Sequence, residues 1–502
     1  MLFNSYLFVL FFLPVTAAGY FLLNRLKRYG LAEVFLLGMS LWFYAYFNVS
    51  YLPIMLFSIV FNYGIYRLFG VCGGVGARRK GILLLGIACN LGVLFYFKYY
   101  DFFVENVNAL FRTDMALKGL LLPLGISFFT FQQLSFVIDA YRGEIPDYSF
   151  LRYALFVSFF PQLIAGPIVT HDELVPQFSD MEKRRMDWRN LSQGLFIFSM
   201  GLAKKVLVAD MFGNAANWGF AHYLELNAPN AWLTILSYTI QIYFDFSGYC
   251  DMAIGIGKLL NIDLPVNFHS PYKALTITEF WERWHMTLTR FFTRYVYIPL
   301  GGNRKGTARM CLNTMIVFLT SGLWHGANWT FVLWGGVHGA FCVAAKVFAD
   351  FFKGLHPALN WLVTFSFVNI MWVFFRADSI LQALVILKRA VCLNMGAIDA
   401  NIIQAFQLKE ILYLAGKLGL DRLYRDFPQV WMAGCFALAL VVLLGKRNSY
   451  ERMERFSARF SEGALTALLM VWGIFSLSGV STFLYFIVND VNSFRLTLGK
   501  RA

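Results

Sequence analysis

Met310-Cys-Leu-Asn-Thr-Met-Ile-Val-Phe-Leu-Thr-Ser-Gly-Leu-Trp-His325-Gly-Ala-Asn-Trp-Thr-Phe-Val-Leu-Trp-Gly-Gly-Val-His338-Gly-Ala-Phe-Cys-Val-Ala-Ala345 contains no Asp, Glu, Lys or Arg. A helix needs about 20 apolar residues to cross a hydrocarbon core, so this run belongs in a bilayer. At a rise of about 1.5 Å per residue, a helix begun near Met310 carries His325 about 22 Å along its axis. An ionisable side chain at that depth is a functional candidate by default. The bland alternative is a neutral core histidine bonded to a neighbouring helix. Gly322 and Gly326, one turn apart, flank His325 and leave room for another backbone or for a substrate. His338 is balanced between core packing and a secondary role.

The rest of the chain agrees with a membrane setting. Of 502 residues, 58% are hydrophobic and 14% charged, against about 25% charged in a soluble domain. Phe, Tyr and Trp make up 18% and suit helix packing in lipid and belts at its edges. The net charge of +14 fits Lys and Arg gathered in cytoplasmic loops better than a nucleic-acid partner. The seven cysteines show no metal-like spacing and read as core thiols.

Charge-free windows recur at 1–24, 34–66, 81–97, 119–138, 153–170, 226–244, 310–345, 355–375, 427–445 and 463–489. No positive residue precedes the first window, and Arg25, Lys27 and Arg28 follow it, so it reads as an uncleaved helix ending in the cytoplasm. Window 34–66 is too long for one span and should turn at Asn48–Pro53. The basic segment 171–190 should be cytoplasmic, which alternating full spans would not allow. One of the windows 119–138 and 153–170 is therefore expected to be re-entrant or broken. Phe160-Pro161-Gln162 and Gly166-Pro167 favour the second. Broken backbone at that depth must be satisfied by protein or a wet cavity. The expectation is an all-α polytopic protein, one domain over 1–502, with about 11 transmembrane helices plus re-entrant or interfacial ones.

Asp263–Gly306 is too polar to cross. Thr276 and Glu279 have capping-box spacing. Phe280, Trp281, Trp284, Leu288, Phe291, Phe292 and Tyr295 then share one face of a helix, with Glu279, Arg283, Arg290 and Arg294 on the other. This pattern predicts an amphipathic helix at the cytoplasmic interface, with His285 at the edge of its apolar face. The basic face could hold phosphates or anionic lipid. Asp245-Phe-Ser247-Gly-Tyr-Cys-Asp251 follows a charge-free span. Its carboxylates need partners near hydrocarbon, either basic residues of the amphipathic segment or a histidine that they orient. No P-loop, HExxH or GxSxG motif occurs in a supporting context.

Several of these stretches resemble the membrane-bound O-acyltransferase family. They are Asp245-Phe-Ser-Gly-Tyr, Asn267-Phe-His-Ser-Pro-Tyr, Phe280-Trp-Glu-Arg-Trp-His285, Tyr297-Ile-Pro-Leu-Gly-Gly302 and Leu323-Trp-His325-Gly-Ala. Leu122-Pro-Leu-Gly-Ile-Ser-Phe-Phe-Thr-Phe-Gln and Ala165-Gly-Pro-Ile are similar to its alginate-acetylating bacterial branch. The resemblance implies a helical bundle around a central tunnel in the bacterial inner membrane. It implies a catalytic His325, a second functional histidine at His285, and no metal or bound cofactor. The implied donor is cytoplasmic acetyl-CoA. The implied acceptor is a periplasmic or membrane-anchored acetyltransferase partner that acetylates an exported polysaccharide.

Imidazole titrates near neutral pH and can take a proton from a hydroxyl, so His325 is expected to activate the acceptor while His285 orients a substrate. Asp245, Ser247, Trp281, Arg283, Trp324, Asn328 and Trp329 are the expected substrate contacts, Asn328 also serving a developing oxyanion. Three rivals stay open: a transporter of an acyl-bearing solute, a scaffold for the partner, and an enzyme fed by an acyl carrier protein.

Overall fold

The computed structural model describes residues 1–72, 76–408, 412–413, 416–417, 419, 421–457 and 459–477. The tail of the 463–489 window lies outside the described residues. Among those described there is no β-strand, only an isolated bridge between Phe268 and Trp284. Helix is what lipid demands, because each helix satisfies its own backbone N–H and C=O groups.

Phe8–Arg25, Val49–Val71, Ala77–Phe111, Trp329–Val347 and Pro357–Arg376 are long and apolar enough to cross a membrane, and Tyr29–Ala45, Pro428–Leu443 and Phe460–Phe475 are shorter apolar helices. The turn expected at Asn48–Pro53 is present: Tyr29–Ala45 and Leu52–Val71 flank a 3₁₀ turn, Val49–Tyr51, capped by Asn48. Window 153–170 is the broken one. It holds the helices Phe150–Ser158 and Phe160–Leu163, and every residue from Tyr153 to Thr170 is buried. Its two ends meet, with the Tyr148 hydroxyl 3.3 Å from His171 Nδ1. The two flanks of the segment therefore lie side by side.

Three expectations need correction. First, window 310–345 is a hairpin: helix Thr307–His325 ends at the histidine, and Trp329–Val347 turns back beside it. The space at Gly322 is filled by the returning backbone, since a Cβ there would lie 2.3 Å from the Phe331 carbonyl oxygen. Second, the span beginning near 226 does not stop before Asp245 but runs as one helix, Ala228–Leu259. Its partner is a rod over 188–221, made of Trp188–Ala203, a π-helical turn Lys204–Ala209, and Asp210–Ala221. No charge-free window marked that rod. The two pack so closely that a Cβ on Gly201 would meet the Gly248 carbonyl oxygen at 2.6 Å. Third, the amphipathic helix is broken into Ile277–Arg283 and Met286–Phe292, with His285 between them at φ +48°.

Basic loops collect at one end of the bundle. Lys183 and Lys258 both pair with Asp263, His269 Nε2 lies 3.2 Å from Glu451, and Lys273 donates to the Gly445 carbonyl. At the other end Asn227 donates to the Ala397 carbonyl and Asn328 to that of Asp378. The positive-inside rule assigns the first end to the cytoplasm.

Candidate active site

His325 closes its helix, and its ring is caged by aromatics. Trp324 lies 4.9 Å from it, Phe375 5.1 Å and Trp334 5.3 Å, centroid to centroid. Only 5% of the residue is exposed. A helix end exposes backbone carbonyls without partners. Here Lys98, reaching in from helix Ala77–Phe111, donates to the Trp324 carbonyl, and its Nζ lies 3.1 Å from Ser127 Oγ. His285 and His338 adjoin the same cage, 6.1 Å from Trp324 and 4.8 Å from Trp334.

His285 is held by the break in its helix. The Asn267 side-chain oxygen accepts from the Thr287 backbone N–H at 3.2 Å and the Thr287 hydroxyl at 3.0 Å, and lies 3.1 Å from His285 Nδ1. The backbone donor fixes that Asn267 atom as the oxygen. A neutral His285 therefore carries its proton on Nδ1 and keeps its lone pair on Nε2. The His285 ring packs 4.9 Å from Phe246 and 6.1 Å from Trp324. The Trp324 indole thus contacts both histidines.

Trp281 joins this cluster at one remove: its ring is 5.5 Å from Trp334, and its Nε1–H donates to His338 Nδ1 at 3.3 Å. His338 is fully buried. The other expected contacts are placed elsewhere. Asp245 pairs with Lys205 at 2.6 Å, and Asp251 with Lys204 at 2.6 Å, so the carboxylates take lysines of the 188–221 rod rather than the amphipathic segment. Lys204 also donates to Ser247 at 3.3 Å. Arg283 pairs with Glu279, Arg290 with Glu173 and Arg294 with Glu144. The expected basic face is thereby neutralised. Asn328 Oδ1 caps the returning helix at Thr330 N, and Trp329 is exposed and donates to Asn106. Sequence reasoning missed Lys98. It had a signal: between Lys80 and Asp101 it is the one charge, and it sits in a π-helical turn, Phe95–Tyr99, a feature common at functional sites.

A buried cluster of two imidazoles and a lysine suits acyl transfer, and the motifs that build it fall in one stretch of the chain. The profile of the membrane-bound O-acyltransferase family matches residues 82–382. The chain belongs to that family. It is a multi-pass membrane O-acyltransferase, and the matched stretch carries Lys98, His285 and His325. Its relatives within the family act on different polymers. A peptidoglycan O-acetyltransferase of Helicobacter pylori is 46% identical over 78% of this chain and 80% of its own length. A "Probable alginate O-acetylase" of Pseudomonas aeruginosa is 39% identical over 90% and 83%. A teichoic acid D-alanyltransferase of Bacillus subtilis is 24% identical over 63% and 87%.

Proposed function

We propose that this O-acyltransferase carries acetyl groups from cytoplasmic acetyl-CoA to a hydroxyl presented from the far side of the inner membrane, for O-acetylation of an exported polysaccharide. The supporting observation is the packing of His285 and His325 against the one indole, Trp324. His285 sits in the break between Ile277–Arg283 and Met286–Phe292, and His325 ends the helix Thr307–His325. In this reading about 11 crossings surround a protein-lined tunnel past Trp324. His325 takes the acceptor's hydroxyl proton, the oxygen attacks the thioester carbonyl, the C–S bond breaks, and the proton passes to the departing thiolate. Lys98 adds positive charge near the developing oxyanion, while His285 orients the thioester.

The immediate acceptor is a periplasmic partner that passes the acetyl group to the polymer. The higher identity to the peptidoglycan enzyme than to the alginate enzyme favours peptidoglycan as the final acceptor. Mass spectrometry of muropeptides and exopolymer from cells with and without the gene decides between them. Purified protein given acetyl-CoA and acceptor should release free coenzyme A, which neither a transporter nor a scaffold does. General base catalysis contributes about 10²–10⁴-fold, so folded His325→Ala should keep less than about 1% of that rate. Retention of more than about a tenth would end the assignment.

A further inference from the structure

A cleft of about 720 Å³ opens at the basic end, lined by Lys446, Arg447, Tyr450 and Arg455 of one connection and by Val266 and Met286 from elsewhere in the chain. That connection, 444–459, joins the apolar helices Pro428–Leu443 and Phe460–Phe475. It carries five Lys or Arg and two Glu. Lys446 and Arg447 follow directly on a helix whose exposed side chains include Val430, Leu438 and Val441. In a membrane protein such a face meets acyl chains, so the cleft stands where the headgroups begin.

The charges in the cleft differ from those around it. Lys183, Lys204, Lys205 and Lys258 each have a carboxylate partner. Lys446, Arg447 and Arg455 are exposed and, among the described residues, have no ion pair. The carboxylates beside them are committed: Glu451 accepts from Asn448 N at 3.0 Å and lies 3.2 Å from His269 Nε2, and Glu454 shares a hydrogen bond with Tyr450. Unpaired cations at the end of a lipid-facing helix complement the anionic cytoplasmic leaflet, and Arg takes a phosphate through two parallel N–H donors. The connection is also tied to the segment that leads to the second histidine. Lys273 donates to the Gly445 carbonyl, Lys204 to Ser449 at 2.9 Å, and Asn448 to Ser270 Oγ at 3.4 Å. Val266 and Met286 are the chain neighbours of Asn267 and His285. Ser270 and His285 both hold left-handed backbone, at φ +49° and +48°, which residues other than glycine adopt at a cost. Whatever fills the cleft therefore braces a strained segment that anchors His285.

We propose that this cleft binds the headgroup of an anionic phospholipid of the cytoplasmic leaflet, and that the bound lipid raises the activity of the site at His285. Lys446, Arg447 and Arg455 surround its phosphate, and its acyl chains lie along the exposed face of Pro428–Leu443. The binding stands apart from the acetyl-transfer reading above; only the effect on rate, as measured with acetyl-CoA, rests on it.

The test is retention of dioleoylphosphatidylglycerol by the intact purified protein, read by native mass spectrometry against dioleoylphosphatidylcholine. The wild type should keep the anionic lipid in preference. Lys446→Ala, Arg447→Ala and Arg455→Ala should each weaken that binding about 5-fold, and together on the order of 100-fold. Glu454→Gln removes a repelling charge and should tighten it, which keeps the proposal testable if the triple variant does not fold. Arg452→Ala, on the same connection but outside the cleft, is the control. In vesicles, coenzyme A release should run several-fold faster with phosphatidylglycerol present than in phosphatidylcholine alone, and the triple variant should lose that gain. Undiminished retention in the three alanine variants overturns the proposal. So does an equal loss in Arg452→Ala, which would reduce the effect to diffuse surface charge. Displacement of the lipid by glycerol 3-phosphate at matching concentration overturns it, since the site would then take a free phosphate. A raised KM for acetyl-CoA in phosphatidylcholine vesicles does so too, since the cleft would then serve a soluble substrate. Retention with no gain in rate overturns the effect on activity. If the wild-type protein turns over no acetyl-CoA, the acetyl-transfer reading fails, and lipid retention across the same variants still decides the cleft.

Discussion

Lys98 shows what a single residue adds to the site. Its Nζ donates to the carbonyl at the end of the His325 helix, so it fixes where the imidazole stands. Lys98→Met should lower kcat for coenzyme A release by roughly 10- to 100-fold with little change in KM, the signature of an interaction made mainly in the transition state. A rise in KM alone would place Lys98 in donor binding instead. His325 stood out in the sequence as an ionisable group in a charge-free run, whereas His285, two residues after Arg283, was singled out only by the family resemblance. Lys98 did not stand out, because it sits at the edge of the window 81–97, where a charge reads as the end of a span. The partners of His285 were hidden as well: Asn267 lies eighteen positions upstream, and only the fold brings it alongside.

Among the elements, the paired helices over 188–221 and Ala228–Leu259 were the least legible. Hydropathy scores each charge separately, so Lys204, Lys205 and Asp210 masked one rod and Asp245 and Asp251 appeared to end the other. In the structure these charges cancel at 2.6–2.8 Å. Removing one partner of a buried pair leaves an uncompensated charge and costs about 3–5 kcal/mol, whereas replacing both by apolar groups is often neutral. Asp251→Leu should therefore lower the melting temperature in detergent clearly, and Lys204→Met with Asp251→Leu should recover most of the loss. Failure of the double variant to recover would give the lysine a role beyond pairing. The segment after Thr276 teaches a different lesson. Phe280, Trp281, Trp284, Leu288, Phe291, Phe292 and Tyr295 are all buried, as their spacing predicts. The break at His285 was invisible, because residues on either side of a single left-handed position keep the same apolar pattern.

On the scale of the whole molecule, the sequence conveyed the helical class, the first hairpin and the break within the window 153–170, since lengths and breakers carry that information. It did not convey how the 310–345 run doubles back, because a charge-free stretch has no internal mark beyond Gly326 and Asn328. A re-entrant path for Phe150–Leu163 would put both of its flanks on one side, and this can be measured. In a cysteine-free background, Asp147→Cys and Met181→Cys should react with a membrane-impermeant maleimide from the cytoplasmic side only. Leu393→Cys, which is 90% exposed, should react only from the other side. Labelling of 147 and 181 from opposite sides would turn Phe150–Leu163 into a full crossing.

The Lys–Asp pairs also constrain how the protein is made. A lysine or aspartate at the centre of a lone helix costs about 2.5–3.5 kcal/mol when it leaves the translocon. The 188–221 rod emerges from the ribosome first, with Lys204 uncompensated and Lys205 facing only Asp210 of the same rod, and residues 222–227 are all that separate it from the helix that supplies Asp245 and Asp251. Released into lipid singly, neither helix is a good insertion substrate. The first must wait at the translocon, or beside helices already in place, until Ala228–Leu259 arrives, so the two enter the bilayer as one unit.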